Sequence, residues 1–420
     1  MSASSASSTV GSDIRVIGLI GFAHGTSHFF HLLLPPLFPW LMPEFGLSFT
    51  QAGAMMTVFF VVSAVGQALS GFVVDRVGPR RVLLAGIACF ILAGLLLSVA
   101  GNYAMLLAVG ALAGLGNCVF NPADFTVLNR KVSPARLGHA FSAHALSGNL
   151  GWAVAPVFLA GIAAAAGWRT AALGASAVGA LAWLVVWLRR DATALGDLVQ
   201  VAANAMNTEA GTRVSPGRTA STFGFLGVGA VWMCFTFFLL ITSAFGALQN
   251  FATPLMQNLY GISVAAAAAS LTAFLLGGAA GIVTGGVLAS RSASHDRLIA
   301  AALAGAAGMA AIAAAGLLPA WGISPAMGVM GFFSGIAGPS RDLLVRRAAT
   351  AQFGQQAFGR VYGFVYSGLD LGLAISPLLF GPFMDAGRFG AVLAGVALLQ
   401  GAAILTALGV GKGSRPAQAA

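Results

Sequence analysis

Runs of about 20 apolar residues follow one another along this 420-residue chain with hardly a charge inside them. A bilayer core about 30 Å thick takes about 20 residues of helix per crossing. Inside it every backbone N–H and C=O must find a partner within the protein. Twelve such runs can be laid between residues 14 and 410, the first over 14–42 and the fourth over 103–127. They lack the alternating pattern of an outer-membrane barrel, so the expected class is an all-α integral membrane protein with twelve transmembrane helices. Composition agrees: 58% of residues are apolar and 8% charged, where a soluble domain carries about a quarter charged.

The formal net charge of +10 is a topology signal. Arg76, Arg80, Arg81, Arg130, Lys131, Arg136, Arg189, Arg190, Arg291, Arg297, Arg346, Arg347 and Arg360 fall in one alternate set of loops and helix ends, and Arg169 and Arg388 in the other. The positive-inside rule then expects both termini in the cytoplasm of a bacterial inner (plasma) membrane, with the basic surplus facing anionic lipid head groups and not nucleic acid. The opening MSASSASSTVGSD lacks a basic n-region and reads as a cytoplasmic tail, 1–13, before an uncleaved first span. Cys89, Cys118 and Cys234 all lie inside spans without a CxxC pair and read as packing residues. No Walker A lysine motif and no Ser–His–Asp arrangement in a loop are present, so neither ATP drive, a cofactor nor an enzymatic reaction is expected.

The polar stretch 190–221 divides two six-helix halves, 14–189 and 222–410, with a cytoplasmic tail at 411–420. Part of that linker, ALGDLVQVAANAM, has the pattern of an interfacial amphipathic helix. The halves repeat. NLGWAVAP at 149–156 answers DLGLAISP at 370–377, and FNPADFTVLNRK at 120–131 faces GPSRDLLVRR at 338–347. Duplicated halves are a common plan for secondary transporters, with the site near the midplane between them.

Between spans 2 and 3 stands GFVVDRVGPRR, 71–81. It resembles the signature loop of the major facilitator superfamily, Gly-x-x-x-Asp-Arg-x-Gly-x-Arg-Arg/Lys, while the second copy, GVLASRSASHDR at 286–297, has Ser290 in place of the acid. The resemblance implies two pseudo-symmetric halves that rock by alternating access, with Gly71, Asp75, Arg76, Gly78, Arg80 and Arg81 forming the gating loop. Asp75, Arg76 and Arg80 would hold the outward-open state and release as the halves move. HGTSHFFHLLLPPLFPWL and the region from FNPADF to NLGWAVAPVF are further similar to the fosmidomycin-resistance-type branch. There Gly148, Gly151 and Pro156 suggest the helix-5 motif of antiporters, with Ala155 where a glycine is usual.

Ionisable groups inside a bilayer are costly and each is a functional candidate. His24, His28 and His31 share one side of the first helix at i, i+4, i+7. Asp124, His144, Arg341, Asp342 and Asp370 follow, and the resemblance places them on helices that line or flank the central cavity. Asp124, His28, Asp370 and His144 are the expected proton-coupling set, because imidazole titrates near physiological pH and carboxyls serve proton relays. His24, His28, His31, Asp124, Gln249, Asn250, Arg341 and Asp342 are the expected substrate contacts. Two histidines at i, i+4 also suit a metal, but their helix face offers no thiolate or carboxylate, so no metal site is expected. The packing alternative, interhelical hydrogen bonding by the histidines, stays open. The leading expectation is a monomeric, proton-coupled exporter of a small organic compound or drug. A proton symporter of a small organic anion and a transporter-like substrate sensor are the alternatives.

Overall fold

A computed structural model describes residues 3–189, 227–292, 294–353 and 358–413. The linker 190–221 with its amphipathic segment lies outside them, as do 222–226 and the tail beyond 413. The first half holds α1 (Ala3–His31), α2 (Phe38–Phe45), α3 (Phe49–Val77), α4 (Pro79–Ser98), α5 (Tyr103–Asn117), α6 (Phe120–Lys131), α7 (Leu137–Ala166) and α8 (Trp168–Leu188). The second holds α9 (Gly229–Tyr260), α10 (Val264–Arg291), α11 (His295–Ala314), α12 (Ile323–Phe353), α13 (Phe358–Asp385) and α14 (Phe389–Gly413). Among the described residues there is no strand. Among the described residues eleven helical segments are long and apolar enough to cross a membrane, and the bent pair 10–31 and 35–45, taken as one span, makes a twelfth.

Two expected spans are broken, and proline explains both. The first, expected as one helix over 14–42, bends by 40° after His31. Pro35 has no N–H for the His31 carbonyl and its ring would strike that oxygen. The fourth, expected over 103–127, runs on to Lys131 but breaks between α5 and α6 at residues 118–119. There Pro122 denies a donor to the Cys118 carbonyl, which accepts instead from Ser70 Oγ of α3 at 3.0 Å. Between α3 and α4 the chain turns at Gly78, whose φ of 90° and ψ of 144° only glycine holds without strain.

The repeat in the sequence is a repeat in packing. A Cβ on Gly151 of α7 would lie 2.0 Å from the Gly25 carbonyl of α1, so these backbones touch. Its counterpart Gly372 of α13 abuts α9 in the same way, its Cβ direction meeting Thr242 Oγ1 at 2.1 Å. The fifth and eleventh spans thus press against the first helix of their own half.

The halves meet along α3 with α13 and α7 with α10. Thr57 Oγ1 donates to the Ala374 carbonyl at 2.8 Å and Thr272 Oγ1 to the Ala153 carbonyl at 2.8 Å. At the outer edge of the seam the Asp385 carboxylate accepts from the Phe49 and Thr50 backbone N–H groups and from Thr50 Oγ1. These contacts join the halves toward the end of the molecule opposite the Arg-rich loops. At the Arg-rich end Asp13 ties α1 to the α6–α7 connection, accepting from Ser133 Oγ at 2.7 Å and Arg136 Nε at 2.8 Å.

Candidate functional site

The close approach of α1 and α7 carries His24 and His144 together, and α6 places Asp124 between them. Asp124 is fully buried. His24 Nδ1 lies 3.1 Å and His144 Nε2 3.0 Å from the same oxygen, Asp124 Oδ2. The two imidazoles stack on each other at 3.5 Å between ring centroids. The other oxygen, Oδ1, is buried without a hydrogen-bond partner. Among the described residues no arginine or lysine pairs with this carboxylate. Two imidazole N–H groups are therefore what answers its charge.

From this hub the histidine stripe runs along α1. The His28 ring lies 4.4 Å from His24 and 4.8 Å from His31. At the far end His31 Nε2 meets Asn117 Oδ1 at 2.7 Å, and Asn117 Nδ2 donates to Ser63 Oγ at 2.8 Å. Since that amide oxygen accepts, the His31 proton sits on Nε2. Trp152 of α7 covers the stripe, its ring 4.2 Å from His28 and 5.7 Å from His31. On its other side Trp152 lies 5.2 Å from Phe245 of α9.

That contact is the edge of a cavity between the halves. It has a volume of about 350 Å³ and is lined by Asn149 and Trp152 from the first half and by Thr242, Phe245, Phe274, Ser334, Arg341 and Gln400 among others from the second. The Arg341 guanidinium rests 4.7 Å over the Phe238 ring. Trp152 Nε1 and Gln400 Oε1 are buried without a hydrogen-bond partner. The cavity thus combines aromatic faces, one cation, an open donor and an open acceptor.

A model of the Major Facilitator Superfamily matches residues 18–377. The chain belongs to that superfamily. It is a multi-pass membrane protein. It is 29% identical over 277 residues to the fosmidomycin resistance protein of Escherichia coli strain K12, covering 64% of each chain. It is 28% identical over 281 residues to the MFS-type transporter YfnC of Bacillus subtilis strain 168, covering 66% of this chain and 65% of that one. The chain thus spans just under two thirds of the length of these relatives. Its fold matches a bacterial homologue of the human lysosomal transporter Spinster, solved in an inward-facing, unoccupied conformation. That match has a TM-score of 0.77 and 13% identity, over 97% of this chain and 99% of the other.

Measured against this superfamily frame, the structure redistributes the expected site. Asp124, His24, His28, His31 and His144 do converge, but inside the first half, with Trp152 between them and the cavity. The histidines expected to touch cargo are not among the cavity-lining residues. Gln249 and Asn250 are likewise buried in α9 away from that lining, because their side of the helix packs inward. Of the expected substrate contacts Arg341 lines the cavity, and Asp342 stands beside it on α12 with its side chain outside the described residues. Asp370 is half-buried on α13 and joins no described cluster. The α1 face carries no carboxylate of its own, and the one beside it belongs to Asp124 of α6. In the loop 71–81, Asp75, Arg76 and Arg81 are exposed, and Arg80 Nη2 donates to the Trp187 carbonyl at 3.0 Å. Trp152, Asn117, Ser63 and Gln400 were not singled out from the sequence. Neutral residues within apolar runs carry no signal until the helices bring them together.

Proposed function

We propose that this transporter is a proton-coupled exporter of a small organic compound, working by alternating access in a bacterial inner membrane. The observation that carries the reading is the buried Asp124, held by His24 and His144 and linked through the rings of His28 and Trp152 to the wall of the central cavity. A buried carboxylate is a group that proton relays use, and the flanking imidazoles supply a path for a proton. A change in cavity occupancy moves Trp152, and Trp152 rests on His28, so cargo and proton share one mechanical link.

The Arg-rich end is the cytoplasmic end, by the same charge rule that orients other helical membrane proteins. The contacts of Asp385, Thr57 and Thr272 join the halves at the opposite end, which supports reading the conformation as inward-facing. The exposure of Asp75 and Arg76 agrees, since the contacts of this loop are expected to form when the cytoplasmic side closes. The name of the fosmidomycin-resistance relative supports efflux as the direction. Arg341 in the cavity favours cargo with an acidic group and an apolar body, and it also supports a second reading, proton symport of an organic anion.

Purified protein in liposomes loaded with a pH-sensitive dye tests the proposal. A panel of organic anions, amphiphilic drugs and phosphonates is added outside. Internal alkalinisation, abolished by Asp124→Asn, is the expected result and marks antiport. Internal acidification establishes symport and removes the export reading. Cargo movement that shifts no proton, with Asp124→Asn equal to the parent protein, overturns proton coupling.

A further inference from the structure

The hub around Asp124 has the composition and spacing of a metal site. His24 Nδ1, His144 Nε2 and Asp124 Oδ2 all lie within 4.8 Å of one another. Two imidazoles and one carboxylate form a borderline nitrogen–oxygen donor set, suited to Zn2+ and its first-row neighbours and unsuited to Mg2+ or Ca2+. Donors bound to one tetrahedral ion at about 2.0–2.1 Å stand roughly 3.3 Å apart. The nitrogens here stand 3.1 and 3.0 Å from the shared carboxylate oxygen. Both nitrogen–oxygen separations are thus a few tenths of an ångström short of that spacing, and the two nitrogens stand within 4.8 Å of each other.

Two further observations point the same way. The carboxylate is wholly buried, yet its ion-pair partners among the described residues are two imidazoles. Such a charge demands a cation, and a divalent ion supplies one. Its second oxygen, Oδ1, is buried and unpartnered, so it can bind the ion as well. The imidazoles keep 4% and 6% exposure while Asp124 keeps none, so an ion reaches the carboxylate from the histidine side.

We propose that His24, Asp124 and His144 form a three-ligand binding site for a divalent transition-metal ion of the Zn2+ class, with a fourth position left for water. Each histidine binds as neutral imidazole, its ring proton moving to the nitrogen that does not ligate. The site holds α6 to α1 and α7, two helices that the glycine contact already presses together. It stands on donor geometry and does not depend on proton transport. Where proton coupling also operates, the metal occupies the coupling carboxylate and blocks it.

The test is metal binding by tag-free full-length protein in detergent. Calorimetry follows Zn2+ with Mg2+ as control, and Co2+ serves as an optical probe of the ligand field. One Zn2+ per chain with no Mg2+ bound, and a tetrahedral Co2+ spectrum, is the expected result. Asp124→Asn and His144→Gln should weaken binding by at least about 100-fold, beyond the roughly 10–100-fold that loss of an outer partner brings. His139→Ala, on the exposed surface, should leave it unchanged. If the two hub variants misfold, His24→Cys decides: retained binding with a new sulfur-to-cobalt absorption places the ion at the hub. No metal on the parent protein, binding untouched by the hub variants, or a His24→Cys spectrum without sulfur ligation overturns the site. Metal bound without proton coupling removes the transport reading and leaves this one; the reverse result does the opposite.

Discussion

The His31–Asn117–Ser63 chain shows how a single neutral residue can fix an ionisable one. Asn117 accepts from His31 Nε2 and donates to Ser63 Oγ, with His31 and Ser63 buried and Asn117 half-buried. Asn117→Ala leaves a buried imidazole N–H without a partner, at a cost of about 1–3 kcal/mol. Adding His31→Phe should recover most of that loss, because removing both partners of a buried hydrogen bond is far milder than removing one. Phe59 and Phe60, with ring centroids 5.2 and 5.9 Å from His31, offer the new ring an aromatic surrounding. Thermal unfolding in detergent of the two single variants and the double variant measures this, and a double variant no more stable than Asn117→Ala refutes it. The ionisable members of the hub were legible in the sequence, since charge in an apolar run stands out. Asn117, Ser63 and Trp152 were not, because their meaning lies in which helix they face. The single-helix view of the stripe also hid its carboxylate, which comes from a residue 100 positions away.

At the scale of helices, the hydropathy of the chain gave the number of spans, and proline decided their shape. Spans read from apolar runs pass straight through Pro35 and Pro122, although each ends the helix before it. At α5–α6 the break has a partner: the Cys118 carbonyl released by Pro122 is taken up by Ser70. Pro122→Ala restores an N–H that can return that carbonyl to a continuous helix. In the parent protein Ser70→Ala should cost about 0.5–1.5 kcal/mol, the net worth of one such hydrogen bond. In the Pro122→Ala background the same substitution should cost close to nothing. A double-mutant cycle in chemical denaturation reads the difference, and equal costs in both backgrounds would show that Ser70 and the break are independent. The glycine spacing NLG and DLG, by contrast, carried over from sequence to structure directly. Gly151 and Gly372 each occupy a backbone-to-backbone contact that any side chain would fill.

For the whole molecule, the proposed alternating access puts the balance between two open states on the seam opposite the Arg-rich end. The first turn of α3 presents free N–H groups, as every helix start does. Ser48 and Gln51 form a capping box there, with Ser48 Oγ 3.1 Å from Gln51 N. The Phe49 and Thr50 N–H groups are left to Asp385, which belongs to the other half. A negative charge at a helix N-terminus is worth up to about 1 kcal/mol when exposed, and here it acts only while the halves stay together. Asp385→Asn should therefore shift the equilibrium about fivefold toward opening on this side, the factor that about 1 kcal/mol carries. Spin labels at Val99 and Leu317, exposed at this end on different halves, report the distance in a background with Cys89, Cys118 and Cys234 replaced. A longer-distance population that grows in Asp385→Asn, and shrinks again in Asp385→Glu, assigns the seam to the carboxylate. An unchanged distribution would leave the packing of α3 on α13 and α7 on α10 as what holds this end shut. The sequence offered no sign of this latch, because Asp385 lies at the far end of a span, 335 residues from the helix it caps.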